Sequence, residues 1–167
     1  IIPLSQQASK GDTGALALLN IWLQDWQKEN TPYLGVNWKC GQEASIRVIH
    51  LIMGAFILGQ LETPTPVLIN LIIAHLKRIE PTISYAIGQN NNHGTSEAAA
   101  LYIGGGFLVK NGYHNGYKWH KKGENFLAER VSKLIGKNGT FSQYSLNYHR
   151  LMLDTLCCCE FFRDKLN

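Results

Sequence analysis

Gly88-Gln89-Asn90-Asn91-Asn92-His93-Gly94-Thr95-Ser96-Glu97 decides the fold, because it sets an amide-rich turn between two apolar segments and then opens a helical pattern reaching Lys110. Thr95 suits the cap of that helix, and Glu97 falls in its first turn, where a negative charge complements the helix dipole. Gly104-Gly105-Gly106 lies inside the pattern. Glycine weakens a helix by about 1 kcal/mol per residue relative to alanine, so the triplet predicts close helix-to-helix approach or a kink. No strand precedes it, which separates it from a phosphate-binding loop.

Working outward, the apolar spacing stays helical. An irregular start reaches Asp12, and Thr13 then caps a helix carrying Leu16, Leu19, Leu23 and Trp26 to about Asn30. A second long pattern, Gln42 to Leu61, has Ile46, Ile49, Met53, Phe56 and Ile57 on its apolar side. Pro66 suits a first helical turn, and that helix runs to Ile79 with a short continuation to Ile87. Beyond the amide turn, Ser96 to Lys110, Tyr117 to Ile135 and Ser142 to about Lys165 complete the series. Strand signals are almost absent. The pattern predicts one all-α domain over residues 1–167, built from antiparallel helical hairpins as in a bundle or an α/α toroid.

Composition narrows the partners. The apolar runs Val48 to Gly59 and Val67 to Leu76 are short and interrupted by His50, Asn70 and His75, so membrane insertion is not expected. A net charge of +4 with scattered Lys and Arg favours anionic partners but forms no stripe for nucleic acid. Cys157, Cys158 and Cys159 are adjacent in a helical segment, which speaks against a disulfide framework. No C-x-x-C or H-E-x-x-H pattern occurs, so neither a metal nor another cofactor is expected.

Three constellations carry possible chemistry. The amide turn supplies donors instead of charges, which fits an anionic substrate group near a helix N-terminus. Within it, Asn92 and a neutral His93 can donate to a carboxylate, and His93 can also accept a proton. Asn138 to Arg150 contains Gln143 and Asn147, and Tyr144 and Tyr148, each pair four residues apart. Trp38 to Arg47 contains Glu43 and Arg47 at the spacing of a helical ion pair. The ordinary alternatives are turn capping, aromatic core packing and a modest surface salt bridge, respectively.

Taken together, Asn37-Trp38 with Glu43 and Arg47, Asn91-Asn92-His93 with Glu97, and Gln143-Tyr144-Ser145 with Tyr148-His149 resemble the heparinase II/III and alginate lyase superfamily, in that family's order. The interval from His93 to Tyr148 is also similar to that between the family's catalytic Asn-His pair and its tyrosine. The resemblance implies a polysaccharide lyase that cleaves a uronic-acid glycan by β-elimination on an α/α toroid. It assigns Asn92 and His93 to the substrate carboxylate and Tyr148 to proton transfer, with His93 as the other possible base. Trp38, Glu43, Arg47 and Gln143 would line the cleft, Trp38 by stacking on a sugar ring.

The resemblance further implies an acidic polysaccharide partner and a periplasmic or secreted location. Relatives carry a C-terminal β-sandwich after the toroid, so the chain reads as an incomplete toroid, a fragment of a longer protein that also holds that domain. An arginine that some relatives place shortly before the tyrosine has no counterpart beside Phe141, leaving Arg47 or Arg150 as substitutes. A non-catalytic glycan-binding or structural helical domain is the alternative. Glycoside hydrolysis needs two carboxylates about the scissile bond, and residues 88–96 and 136–149 contain no Asp or Glu.

Overall fold

The computed structural model describes residues 1–166, and these form an all-α fold. Its helices are α1 (Ile2–Ser9), α2 (Thr13–Glu29), α3 (Gly41–Ile57), α4 (Pro66–Ile79), α5 (Ile83–Gly88), α6 (Asn92–Lys110), α7 (Gly116–Leu134) and α8 (Leu146–Leu166). Short 3-10 turns occupy Val36–Trp38 and Glu80–Thr82. Among the described residues, no helix is long and apolar enough to cross a membrane.

Four boundaries differ from the sequence expectations. The supposedly irregular start contains α1, whose buried Ser5 lies under α3 so closely that a methyl on Gly54 would meet Ile1 and Ser5. Helix α2 is capped by Asp12 instead of Thr13, with the Ala15 N–H donating to Asp12 Oδ1 at 2.9 Å. Helix α3 stops at Ile57, where Gly59 takes a left-handed φ of 69° that ends the helical path. Ser142 to Ser145 form a turn before α8, held by the antiparallel bridge of Ile135 with Phe141 and by Tyr144 at φ 50°. Gln143 and Tyr144 therefore share no helical face with Asn147 and Tyr148.

Helix α6 is the centre of the molecule. All but a few of its residues from Asn92 to Leu108 are buried, and it packs against α3, α4, α5, α7 and α8. A helix surrounded on every side has no wet face, which accounts for the continuous run of small and apolar residues. The glycine triplet is a close approach without a helix break. A Cβ on Gly105 would fall 2.3 Å from the His120 backbone nitrogen, and one on Gly123 would fall 2.3 Å from that of Tyr102. Since Gly94 adjoins Arg130 while Gly105 adjoins Gly116, α6 and α7 run antiparallel as a hairpin. The core continues through Val48, Ile52, Ile72, Leu76, Leu101 and Phe162.

The cysteines are all free. Cys157 is exposed and Cys159 buried, as neighbouring positions on one helix require. Burial pushes the Cys159 thiol up to about 12, so it serves as a small apolar side chain.

Candidate functional site

The three segments singled out by sequence meet around the first turns of α6. Asn91, with extended backbone, caps the helix by accepting the His93 N–H on Oδ1 at 2.9 Å. Helix α6 thus begins at Asn92, four residues before Ser96, and Thr95, expected as its cap, is buried within it. His93 lies inside the first turn instead of ahead of it. The preceding turn is tightened by Asn90 at φ 51° and by Asn91 Nδ2 donating to Gln89 Oε1 at 2.9 Å.

Arg130 supports this turn from beneath. Its Nη1 donates to the Ile87 carbonyl at 2.9 Å and to Asn90 Oδ1 at 3.1 Å, and its Nη2 pairs with Glu129 at 2.5 Å. The side chain is fully buried. Sequence reasoning missed it, although a signal existed: Gly123, Leu127, Arg130 and Leu134 recur at helical spacing, so Arg130 sits on the core stripe of α7.

Two further links assemble the mouth. Gln143 Oε1 accepts the Asn92 backbone N–H at 3.2 Å, tying the turn before α8 to the start of α6. Gln42 Nε2 donates to Ser96 Oγ at 3.4 Å, tying in the start of α3. Beside them the Glu97 carboxyl lies against Gly41, where an added Cβ would come within 2.5 Å of Oε1. A side chain at position 41 would force the Glu97 carboxyl to move. Burial raises Glu97 to about 7, with the Arg78 charge pulling partly the other way.

Thr95 Oγ1, Glu97 Oε2 and Arg130 Nε are buried here without a hydrogen-bond partner; among the described residues only Ser5 Oγ, beneath α1, shares that condition. Unpaired buried polar atoms are costly and concentrate where a protein has a use for them. Gln42 joins the site by tertiary packing, which sequence spacing could not reveal, whereas Ser96 and Glu97 follow Asn92 on the same helix.

The other expected site residues lie differently. Asn92 is 5% exposed and belongs to the mouth, whereas Tyr148 is 46% exposed on the first turn of α8. No hydrogen bond joins Tyr148 to Asn92 or His93 among the described residues; its backbone N–H donates to Ser145 Oγ at 3.4 Å. Glu43 is exposed and makes no ion pair with Arg47.

Trp38 is 1% exposed, so its ring is not available to stack on a sugar in this arrangement. It packs on His75 with ring centroids 4.5 Å apart and on Trp26 at 5.9 Å, and its Nε1 donates to the Asn30 carbonyl at 3.0 Å. Arg47 turns toward the same cluster: its guanidinium lies 5.1 Å from the Trp26 ring centroid, Nε donates to His75 Nε2 at 3.1 Å and Nη2 to the Asn37 carbonyl. Arg78 clasps the segment from the far side through the carbonyls of Trp38 and Lys39. Burial lowers His75 to about 4 and keeps the ring neutral, with Nδ1 donating to the Leu71 carbonyl at 2.8 Å.

No group of three His, Cys, Asp or Glu side chains among the described residues is placed to hold a metal ion. Compared with known proteins, the chain matches no family model, no curated protein and no solved structure at a significant level.

Proposed function

We propose that the chain carries the carboxylate-holding part of a polysaccharide lyase that cleaves an acidic, uronate-containing glycan by β-elimination, on helical hairpins arranged as part of an α/α toroid. The observation that carries this reading is the convergence of Asn92, Gln143, Gln42 and Glu97 on the first turns of α6, where buried polar groups stand unpaired. Removing the proton beside a carboxylate builds charge on that group, and donors placed at the developing charge lower the barrier. Asn92, His93 and the α6 N-terminus supply such donors. Glu97, protonated up to about pH 7, adds no repelling charge below that pH.

Tyr148 or His93 takes the proton, the electron pair forms the new carbon-carbon double bond, and the glycosidic oxygen leaves as a hydroxyl after receiving a proton. A phenol is a weak base in water, so Tyr148 in this role requires donor-rich surroundings. Cleft lining by Trp38 has no part in the proposal, and Arg47 is occupied elsewhere.

The test is incubation with alginate, heparan-type and bacterial capsular uronates while following the ultraviolet absorbance of the unsaturated product. Tyr148→Phe is expected to abolish product and retain polysaccharide binding. Binding without turnover is the second reading, favoured by the lack of a hydrogen bond between Tyr148 and either Asn92 or His93. Polysaccharide retained by the wild-type chain with no unsaturated product on any of these polymers would select it over the lyase.

A further inference from the structure

We propose that the cavity between α2, α3 and α4 binds a small organic carboxylate with an apolar body, and that Arg47 takes its charge. The cavity measures about 180 Å³, room for roughly one aromatic ring and its carboxylate. Leu19, Trp22, Trp26 and Leu71 form its apolar walls, and Arg47 and His75 supply its polar atoms.

Arg47 is the reason for choosing an anion. Lys110, Lys122 and Arg130, cations that helix packing also draws into the fold, each have a carboxylate oxygen at 3.4, 3.2 and 2.5 Å. Arg78 has no such partner, but its Nε, Nη1 and Nη2 all donate to oxygen acceptors. Among the described residues Arg47 has no carboxylate partner, and only Nε and Nη2 are used. Its Nη1 finds no acceptor among the described residues and is not sealed from solvent.

The surroundings leave that charge uncompensated. The neutral His75 ring turns its Nε2 lone pair to Arg47 Nε and spends its Nδ1 hydrogen on Leu71, so it brings neither a charge nor a spare donor. Glu43 acts on the guanidinium only at a distance. A half-buried guanidinium facing an apolar cavity gains most from a ligand that brings one negative charge and fills the rest with apolar surface. At the rim, Trp22 is 60% exposed and available to cover such a body.

The experiment is titration of the protein at neutral pH with benzoate and with its neutral relative benzyl alcohol, followed by tryptophan fluorescence and calorimetry. Benzoate is expected to bind saturably and more tightly than benzyl alcohol. Arg47→Gln should weaken benzoate about tenfold or more and erase that preference. Because Arg47 also holds Asn37 and His75, Trp22→Ala at the exposed rim provides a second variant, expected to weaken both ligands without shifting thermal unfolding. The absence of saturable benzoate binding to the wild-type protein, or equal affinity for the two ligands, overturns the proposal.

Discussion

The two polar clusters of this protein, one around Trp38 and the other at the mouth of α6, are built on opposite principles. Around Trp38 the fully buried donors are matched: the indole has Asn30, His75 has Leu71 and Arg47, and Arg78 has three oxygens, which leaves Nη1 of the half-buried Arg47 without an acceptor among the described residues. At the mouth of α6, Thr95, Glu97 and Arg130 each keep a buried polar atom unpaired. A matched cluster holds a fold together; an unmatched one is kept at a cost in stability, which is the usual mark of a binding or reacting site. Trp38, expected to stack on a sugar, is packed against His75 and Trp26, whereas Asn92 lies among the unpaired buried groups at the start of α6.

The strongest challenge to this contrast is Trp38→Ala. Loss of a fully buried indole is expected to destabilise the protein by about 3–5 kcal/mol in denaturant unfolding. A loss under about 1 kcal/mol would put Trp38 outside the core and restore it as a candidate platform.

Acid separates the clusters next. His75 stays neutral in the fold down to about pH 4 but takes a proton near 6.5 once unfolded. The stability of the Trp38 cluster is therefore complete above pH 6.5 and is lost as pH falls toward 4, by roughly 3 kcal/mol at about 1.4 kcal/mol per pH unit. Denaturant curves of the wild type and His75→Gln across this window should diverge, the variant being the flatter.

Glu97 works in the opposite direction. Its carboxyl keeps its proton to about 7 in the fold and ionises near 4.5 when unfolded, so the stability it permits is complete below 4.5 and is lost as pH rises through about 7. Glu97→Gln is expected to gain roughly 3 kcal/mol relative to the wild type above pH 7 and nothing below 4.5. A variant equally affected at both ends of the range would mean that the carboxyl is not held protonated by burial.

The smallest expected effect is that of Gln143→Ala, about 1 kcal/mol for one lost hydrogen bond to the Asn92 N–H. Hydrogen exchange should localise the change to the first turn of α6. An unchanged Asn92 amide would remove Gln143 from the mouth.

Much of the helical order was legible in the residues. Pro66 opens α4 as its position predicted, with the Leu68 N–H donating to Thr65 Oγ1 at 3.3 Å, and the glycine triplet marks a close helix pairing. What failed was the choice between equivalent local signals. Asn91 and Thr95 are both good caps, and Asn91 is the one supported from beneath by the turn that Arg130 and Asn90 hold. The start of α8 was displaced because Phe141 pairs with Ile135 and turns the chain before the helix can begin.

By itself the sequence determined an all-α chain, because apolar spacing and helix breakers act locally and are written in neighbouring residues. It also marked Gly104-Gly105-Gly106 as a place of close helix approach or a kink, and the tertiary structure supplied the partner, α7. Tertiary structure alone decided that Trp38 and Arg47 belong to a packed aromatic cluster and that Gln42 reaches Ser96 on the first turns of α6. Those assignments depend on side chains far apart in the chain competing for the same buried space and the same hydrogen-bond partners. That competition has no sequence period from which it could be read.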